Sequence, residues 1–274
     1  MTAKRSSQST GLPGSELNAA KMPGHWILAQ MGKRVLRPGG LELTRALLDG
    51  LAIGEDDEVV EFAPGLGVTA RMILDRKPRR YVGVERDPKA MQWTARQLPQ
   101  AANVSVVGGA ADQTTLPTAS ASVIIGEAML TMNTQEQKGL IAAEAFRLLR
   151  PGGRYGIHEL CVVPDDMPTD RRQEIDRMLS SVIHVGARPL SEHEWKNLLE
   201  GAGFRVVGVG YAPMHLLRPR RLVQDEGVLG ALRLTKNLLL DSTARRRVVA
   251  MRQVFEHYRN NLGAIYLIAQ KGLD

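Results

Sequence analysis

One cysteine, Cys161, stands in 274 residues, and that scarcity excludes an intrachain disulfide, a cysteine-based zinc site and a three-cysteine iron–sulfur cradle. The six histidines show no metal-ligand spacing, so no metal is expected. Aromatics are few (three Trp, five Tyr, four Phe), which leaves little for the stacking platforms of single-stranded nucleic-acid binders. No apolar run approaches the ~18 residues a membrane span needs, so no stable membrane insertion is expected. The opening stretch MTAKRSSQSTGLPGSE has no apolar h-region of a secretory signal, and the expected setting is cytoplasmic.

What remains is ordinary for a globular chain: 43% hydrophobic and 24% charged residues, in a length that suits one large α/β domain or two small ones. The net charge of +7 is uneven: residues 1–50 carry +4, residues 51–211 carry −3 and residues 212–274 carry +6. Basic ends of this kind suit solvated helices, nucleic acid, an anionic membrane or an acidic ligand.

Residues 1–20 are rich in Ser, Gly and Thr and read as a flexible N-terminus. A helix-compatible stretch from Ala20 to Leu36 ends at the breaker Arg37-Pro38-Gly39-Gly40, and Leu41–Leu51 reads as an amphipathic helix. Strand-like runs follow at Val59–Ala63, Tyr81–Glu85, Val104–Val107, Ser122–Gly126 and Gly153–Glu159. Helical patterns near Val68–Asp75, Ala90–Leu98 and Thr134–Leu149 lie between them. Capping boxes, Thr134 with Gln137 and Ser191 with Glu194, open two of the helices. Further strands are read at Phe204–Tyr211 and Ala264–Gln270, with helical patterns at Asp225–Asp241 and Ser242–Arg259 between them. Strand–helix alternation argues for an α/β fold with a parallel sheet covered on both faces. The division expected is a single domain over 21–274: an N-terminal lid segment (21–40), a core (41–162), a cap segment (163–190), a helical insertion (212–262) and the last strand (263–271).

The segment Val59-Val60-Glu61-Phe62-Ala63-Pro64-Gly65-Leu66-Gly67 carries the most information. A buried strand runs into a glycine turn and then a helix, so the backbone can approach a ligand closely and the helix start offers free N–H groups. Dinucleotide and nucleoside sites share such a loop. Glu85 ends the next strand about eighteen residues after Gly67, where a carboxylate can accept both hydroxyls of an adenosine ribose.

With those residues in place, the chain resembles the class I S-adenosylmethionine-dependent methyltransferases of the small-molecule type. Gly109-Ala110-Ala111-Asp112 with Leu116-Pro117 resembles the segment after strand 3 that touches the adenine, and Ser122–Ala128 resembles strand 4 and its turn. Leu148-Leu149-Arg150-Pro151-Gly152-Gly153 resembles the turn before strand 5, and Pro189–Trp195 with Ala202-Gly203-Phe204 resembles the join to strand 6. The resemblance implies a Rossmann-like, seven-stranded, mostly parallel sheet with strand 7 antiparallel. It implies S-adenosyl-L-methionine as cofactor and S-adenosyl-L-homocysteine as product.

It also implies roles. Gly65 and Gly67 line the amino-acid part of the cofactor, Glu61 anchors the loop or the cofactor's ammonium group, and Glu85 takes the ribose hydroxyls. Arg86 lies beside the adenine, Ala111 and Asp112 flank its edge, and Glu127 sits near the methionine part. Two positions depart from the family: Ala63 replaces the usual first glycine, and Ala110 the acidic residue that often follows the strand-3 glycine. Asp112, or the backbone at Ala111, is left for the adenine amino group.

A sulfonium makes its methyl carbon electrophilic already, so the protein mainly aligns the nucleophile for in-line displacement, and a base is optional. The candidate proton acceptors are His184, His158 and Glu127; Cys161 has no partner that would make it a nucleophile. The expected partner is a small, partly apolar organic acceptor methylated at O, N or C, with no nucleic acid and with a homodimer left open. The basic helical insertion reads as a pair packed on the sheet, as a lid over an apolar substrate together with the N-terminal segment, or as a membrane-surface element. Other readings are an RNA or DNA methyltransferase, a nucleotide-cofactor oxidoreductase, and a cofactor-binding protein that transfers nothing. Against the nucleic-acid reading, Gly126-Glu127-Ala128-Met129 lacks the amide and aromatic that hold a flipped base.

Overall fold

A computed structural model describes residues 11–18 and 20–273 of the chain. Of the N-terminus expected to be flexible, residues 1–10 and 19 lie outside the described residues. The rest folds into turns, and a Cβ on Gly14 would meet the Trp26 ring at 3.0 Å.

Seven strands form one sheet: β1 (Glu58–Phe62), β2 (Arg80–Glu85), β3 (Val104–Gly108), β4 (Ala121–Glu127), β5 (Leu149–Val162), β6 (Arg205–Pro213) and β7 (Leu262–Gln270). Their order is β3-β2-β1-β4-β5-β7-β6. The first five run parallel and β7 runs antiparallel to both β5 and β6, as the family resemblance implies. Runs such as Val123–Ile125 read as continuous apolar stretches because the central parallel strands are covered on both faces. The order reverses between β1 and β4, which opens a crevice at the strands' carboxyl ends, the usual ligand position in such sheets.

On one face, α2 (Gly40–Gly50) and α3 (Val68–Leu74) press Leu47, Leu48 and Ile73 onto Val59, Tyr81 and Ile125. On the other, α5 (Gln135–Leu148) and α7 (Glu192–Gly201) pack Ile141, Ala145 and Trp195 against Val60, Phe62 and Ile124. Both of these helices start with the capping boxes read from the sequence. Between β2 and β3 lies α4 (Pro88–Gln97), capped by the Asp87 side chain.

A third apolar cluster lies at one end of the sheet, where it takes in Val162 of β5 and Leu262 of β7. It joins α1 (Gly24–Gln30), α6 (Thr169–Ile183) and α9 (Ser242–His257) through Ile27, Leu28, Ile175, Leu179, Met251 and Phe255. The helix expected over Ala20–Leu36 is only α1, because the chain turns at Gly32 (φ 106°), where Lys33 N donates back to Leu28 O. A Cβ on Gly24 would meet Met251 Sδ at 2.8 Å and Ile183 Cα at 3.2 Å, so a side chain there would crowd α1 against α6 and shift the Met251 thioether. In the insertion, α9 packs on α1 and α6 and shares its apolar cluster with Val162 and Leu262 at the sheet's end, while α8 (Pro219–Leu240) packs on α2 and α9. Among the described residues no helix is long and apolar enough to cross a membrane.

Candidate functional site

The loop from β1 to α3 turns through three left-handed residues, Ala63 (φ 52°), Gly65 (φ 56°) and Gly67 (φ 72°). Such angles suit glycine and strain an L side chain, so Ala63 holds a backbone that glycine adopts more readily. The loop is pinned on both sides: Ala63 N donates to Val84 O at 2.8 Å and Thr94 Oγ1 donates to Gly65 O at 2.5 Å. Gly67 starts α3 and does not line the crevice, whereas Ala63, Pro64 and Gly65 do.

Glu85 ends β2 at the lip of the same crevice. Gly65 N donates to its Oε2 at 3.3 Å and Asp87 N to its Oε1 at 3.1 Å, which fixes the carboxylate plane and leaves further lone pairs toward the cavity. Burial raises its pKa, with the two backbone N–H groups restraining the rise. Arg86, Ala110, Ala111 and Asp112 line the wall beside it. Glu61 corrects its expected place. It is buried on the α2–α3 face of the sheet, where Tyr81 Oη donates to Oε2 at 2.7 Å, and it does not reach the cavity. Burial lifts its carboxyl to about 8, against the pull of that hydrogen bond.

Glu127, at the end of β4, lies at the centre of a polar cluster. Oε1 accepts from Thr44 Oγ1 at 2.7 Å and faces His158 Nδ1 at 2.8 Å; Oε2 accepts from Arg37 Nη1 at 2.8 Å and from the Thr69 hydroxyl. Burial alone would raise this carboxyl, yet Arg37, His158 and Thr69 together pull it down to about 2. An acid so stabilised as its anion is a poor proton acceptor, and its Oε2 is engaged by Arg37. His158 is corrected in the same way. It is fully buried, and its Nε2 lies 2.6 Å from Pro38 O, so both ring nitrogens are taken up by protein oxygens.

His184 is the third correction. It caps α6 with a left-handed backbone (φ 56°), is exposed and does not line the cavity, although Ile183 and Val185 on either side do. Cys161 is buried, and burial pushes its thiol up to about 12, an inert side chain.

The cavity encloses about 520 Å³. One end is polar, formed by the glycine loop, Glu85 and Glu127. The other is apolar, with Leu28 from α1, Leu179 from α6, Met214 and Leu216 before α8, and Met251 and Phe255 from α9. Glu159 lines the wall between β5 and a short 3-10 helix at Leu130–Met132. It accepts N–H bonds from Met129, Leu130 and Thr131 and so shapes the turn after β4.

Three lining residues were not singled out from the sequence. Arg37 stands 92% buried, with Nε and Nη2 lacking any partner among the described residues; Arg34 Nη1 is unpartnered too. Buried guanidinium N–H groups without acceptors are costly, and a bound anionic group would remove that cost. His25, on α1, lines the cavity, and burial lowers it to about 4, a neutral imidazole near pH 7. The sequence signal for all three was weak: the stretch read as a lid, and Arg37 read only as part of a breaker.

Residues 59–153, the stretch from β1 into β5, match the family model described as a methyltransferase domain. The chain belongs to the class I S-adenosylmethionine-dependent methyltransferases. This methyltransferase is also 30% identical over 251 residues to an uncharacterized protein of Haemophilus influenzae, covering 90% of this chain and 98% of that one. Its fold is similar to that of a phosphoethanolamine N-methyltransferase of Haemonchus contortus, solved with phosphomonomethylethanolamine and S-adenosylhomocysteine. There the TM-score is 0.69 at 13% identity, over 91% of this chain and 57% of the other. It is likewise similar to geranyl diphosphate C-methyltransferase of Streptomyces coelicolor, with a TM-score of 0.61 at 17% identity over 84% and 76% of the two chains.

Proposed function

We propose that this methyltransferase holds S-adenosylmethionine over the glycine loop and directs methyl transfer to the O, N or C atom of a small, partly apolar organic acceptor. The clamped carboxylate of Glu85, facing the cavity beside the glycine loop, carries the reading. In it, Glu85 accepts the ribose hydroxyls, Arg86, Ala111 and Asp112 border the adenine, and the Ala63–Gly65 backbone lies against the amino-acid part. The orphaned N–H groups of Arg37 suit the carboxylate of that part, with Glu127 and Thr69 holding the guanidinium in place. The volume and polarity of the cavity fit a nucleoside at one end and an apolar acceptor at the other.

When bound, the sulfonium supplies an electrophilic methyl carbon. What is left to the protein is orientation: the apolar wall of α1, α6 and α9 holds the acceptor and excludes water, an effect worth up to about 7–11 kcal/mol. Calorimetry with S-adenosylhomocysteine tests the reading: Glu85→Ala weakens binding about 10–100-fold, as loss of a charge-assisted hydrogen-bond pair implies. Unchanged affinity in that variant removes the ribose assignment.

A further inference from the structure

The C-terminal half of α8 has two apolar sides, and this chain covers one of them. Toward the interior, Leu234 is buried and Leu238 packs on the helical cluster. Toward solvent, Val228, Leu229, Leu232, Leu239 and Leu240 are each between 61% and 82% exposed. At 100° per residue these five fall within an arc of about 120°, a continuous apolar stripe. A left-handed Gly227 (φ 71°) separates this half from the first turns of α8. Those turns are tied down by Asp225 and Glu226, which face Lys33 at 3.8 and 3.4 Å and accept backbone N–H bonds from Leu41, Arg34 and Val35. The outward half is therefore held on a fixed base. We propose that it docks onto an anionic lipid bilayer, lying in the interface with the leucine stripe among the headgroups.

Charge selects this occupant over others. Residues 228–252 contain six basic side chains and one acidic one. The acid, Asp241, is spent capping α9 through Thr243 N and Ala244 N. Of the basic residues Arg247 turns inward to Met22 O and Val182 O, while Arg233, Lys236, Arg245, Arg246 and Arg252 are exposed. A second copy of the chain packed on this face would set Lys236, inside the stripe, and Arg233, at its edge, against their own kind. A nucleic acid would use the cations and leave the leucines in water. A bilayer with anionic headgroups takes both, the leucines by burial and the cations by surface potential. Docking also brings the helices that wall the apolar end of the cavity, α9 with Met251 and Phe255, to the lipid surface.

Co-sedimentation of the full chain with phosphatidylcholine vesicles, with and without phosphatidylglycerol, tests this. Binding is expected only with phosphatidylglycerol and falls as salt rises. The double variant Arg233→Gln, Lys236→Gln weakens it about 25-fold, at roughly fivefold per basic side chain. Leu232→Ser with Leu239→Ser weakens it at least about tenfold. Both variants alter exposed positions outside the cavity, so their affinity for S-adenosylhomocysteine stays at the wild-type value, which separates this proposal from the methyl-transfer reading. Equal sedimentation with and without the anionic lipid overturns it. So does a lipid-free dimer in analytical ultracentrifugation that the two serine substitutions dissociate, because a second copy would then cover the stripe.

Discussion

Arg37 and Glu127, ninety residues apart in the chain, form a buried ion pair of 2.8 Å that fastens the segment before α2 to the end of β4. The pair uses one nitrogen of the guanidinium and leaves Nε and Nη2 unpartnered at the cavity wall. A cation placed and half-satisfied in this way is preorganised for a second anion, since the cost of ordering it is met by the fold.

The first prediction follows from that division of labour. Arg37→Gln weakens S-adenosylhomocysteine about 10–100-fold. It has much less effect on 5′-methylthioadenosine, which lacks the amino-acid end. Calorimetry with the two ligands decides the matter; equal losses would assign Arg37 to holding the loop alone. The same variant removes the main cation that depresses Glu127. With that carboxyl at about 2 in the folded chain, Glu127 contributes stability above its unfolded pKa that is lost as pH falls toward 2. Thermal melts between pH 5 and pH 2 should therefore show a shallower acid decline in Arg37→Gln, from a lower starting point by about 3–5 kcal/mol, the usual cost of breaking a buried pair.

Glu61 has the opposite sign. Its folded pKa of about 8 lies above the unfolded value, so the folded chain resists ionisation that the unfolded chain accepts. Stability tied to Glu61 is full at low pH, declines as pH rises from about 4.5, and levels off once the folded carboxyl ionises near 8. Glu61→Gln keeps an acceptor for the Tyr81 hydroxyl and cannot ionise. It is expected to melt higher than wild type at pH 8 and nearly equally at pH 4. A variant less stable at both values would show that the carboxylate itself is needed in the β1–β2 core.

Ala63 gives a test of backbone strain at the loop. An L residue held at φ 52° is disfavoured, but glycine there also costs more entropy on folding, and the two effects nearly cancel. Ala63→Gly should change stability by under about 1 kcal/mol. Ala63→Val, whose β-branch tolerates this φ poorly, should lose about 2–3 kcal/mol. Chemical denaturation of the three proteins checks the order, and a stable valine variant would mean that the loop has other conformations available.

The sheet was legible because its signals are local. Val59–Phe62 and Tyr81–Glu85 are mostly apolar runs followed by turn residues, and the Thr134–Gln137 and Ser191–Glu194 boxes complete themselves within four residues. The glycine loop and Glu85 were readable for the same reason, as spacings within one βαβ unit. The polar cluster was not. His158 reads as a free base because its partners, Glu127 and Pro38 O, come from a neighbouring parallel strand and from the segment before α2. His184 reads as part of a substrate cap because a left-handed helix end cannot be told from one more helical residue by periodicity. Arg37 was invisible as a site residue because what distinguishes it is the absence of partners, a property of the packed chain alone.

With His158, His184 and Glu127 withdrawn from proton transfer, His25 is the histidine that lines the cavity among the described residues. Burial lowers it to about 4, so its imidazole stays neutral from there upward and faces the cavity as an unprotonated but weak base. The depressed value also means that His25 costs stability as pH falls from about 6.5, where the unfolded chain takes up a proton, to about 4. Proton NMR titration should place the His25 ring resonances near that lower value. His25→Gln should retain wild-type affinity for S-adenosylhomocysteine and slow its release from S-adenosylmethionine, assayed against a cell metabolite extract, by about 10²–10⁴-fold if the acceptor atom must lose a proton during transfer. The wild-type rate should then fall only below about pH 5, with that acid limb absent in the variant. A variant that instead loses affinity for the nucleoside, with its turnover at saturation intact, would make His25 part of the cofactor wall and leave methyl transfer to proximity alone.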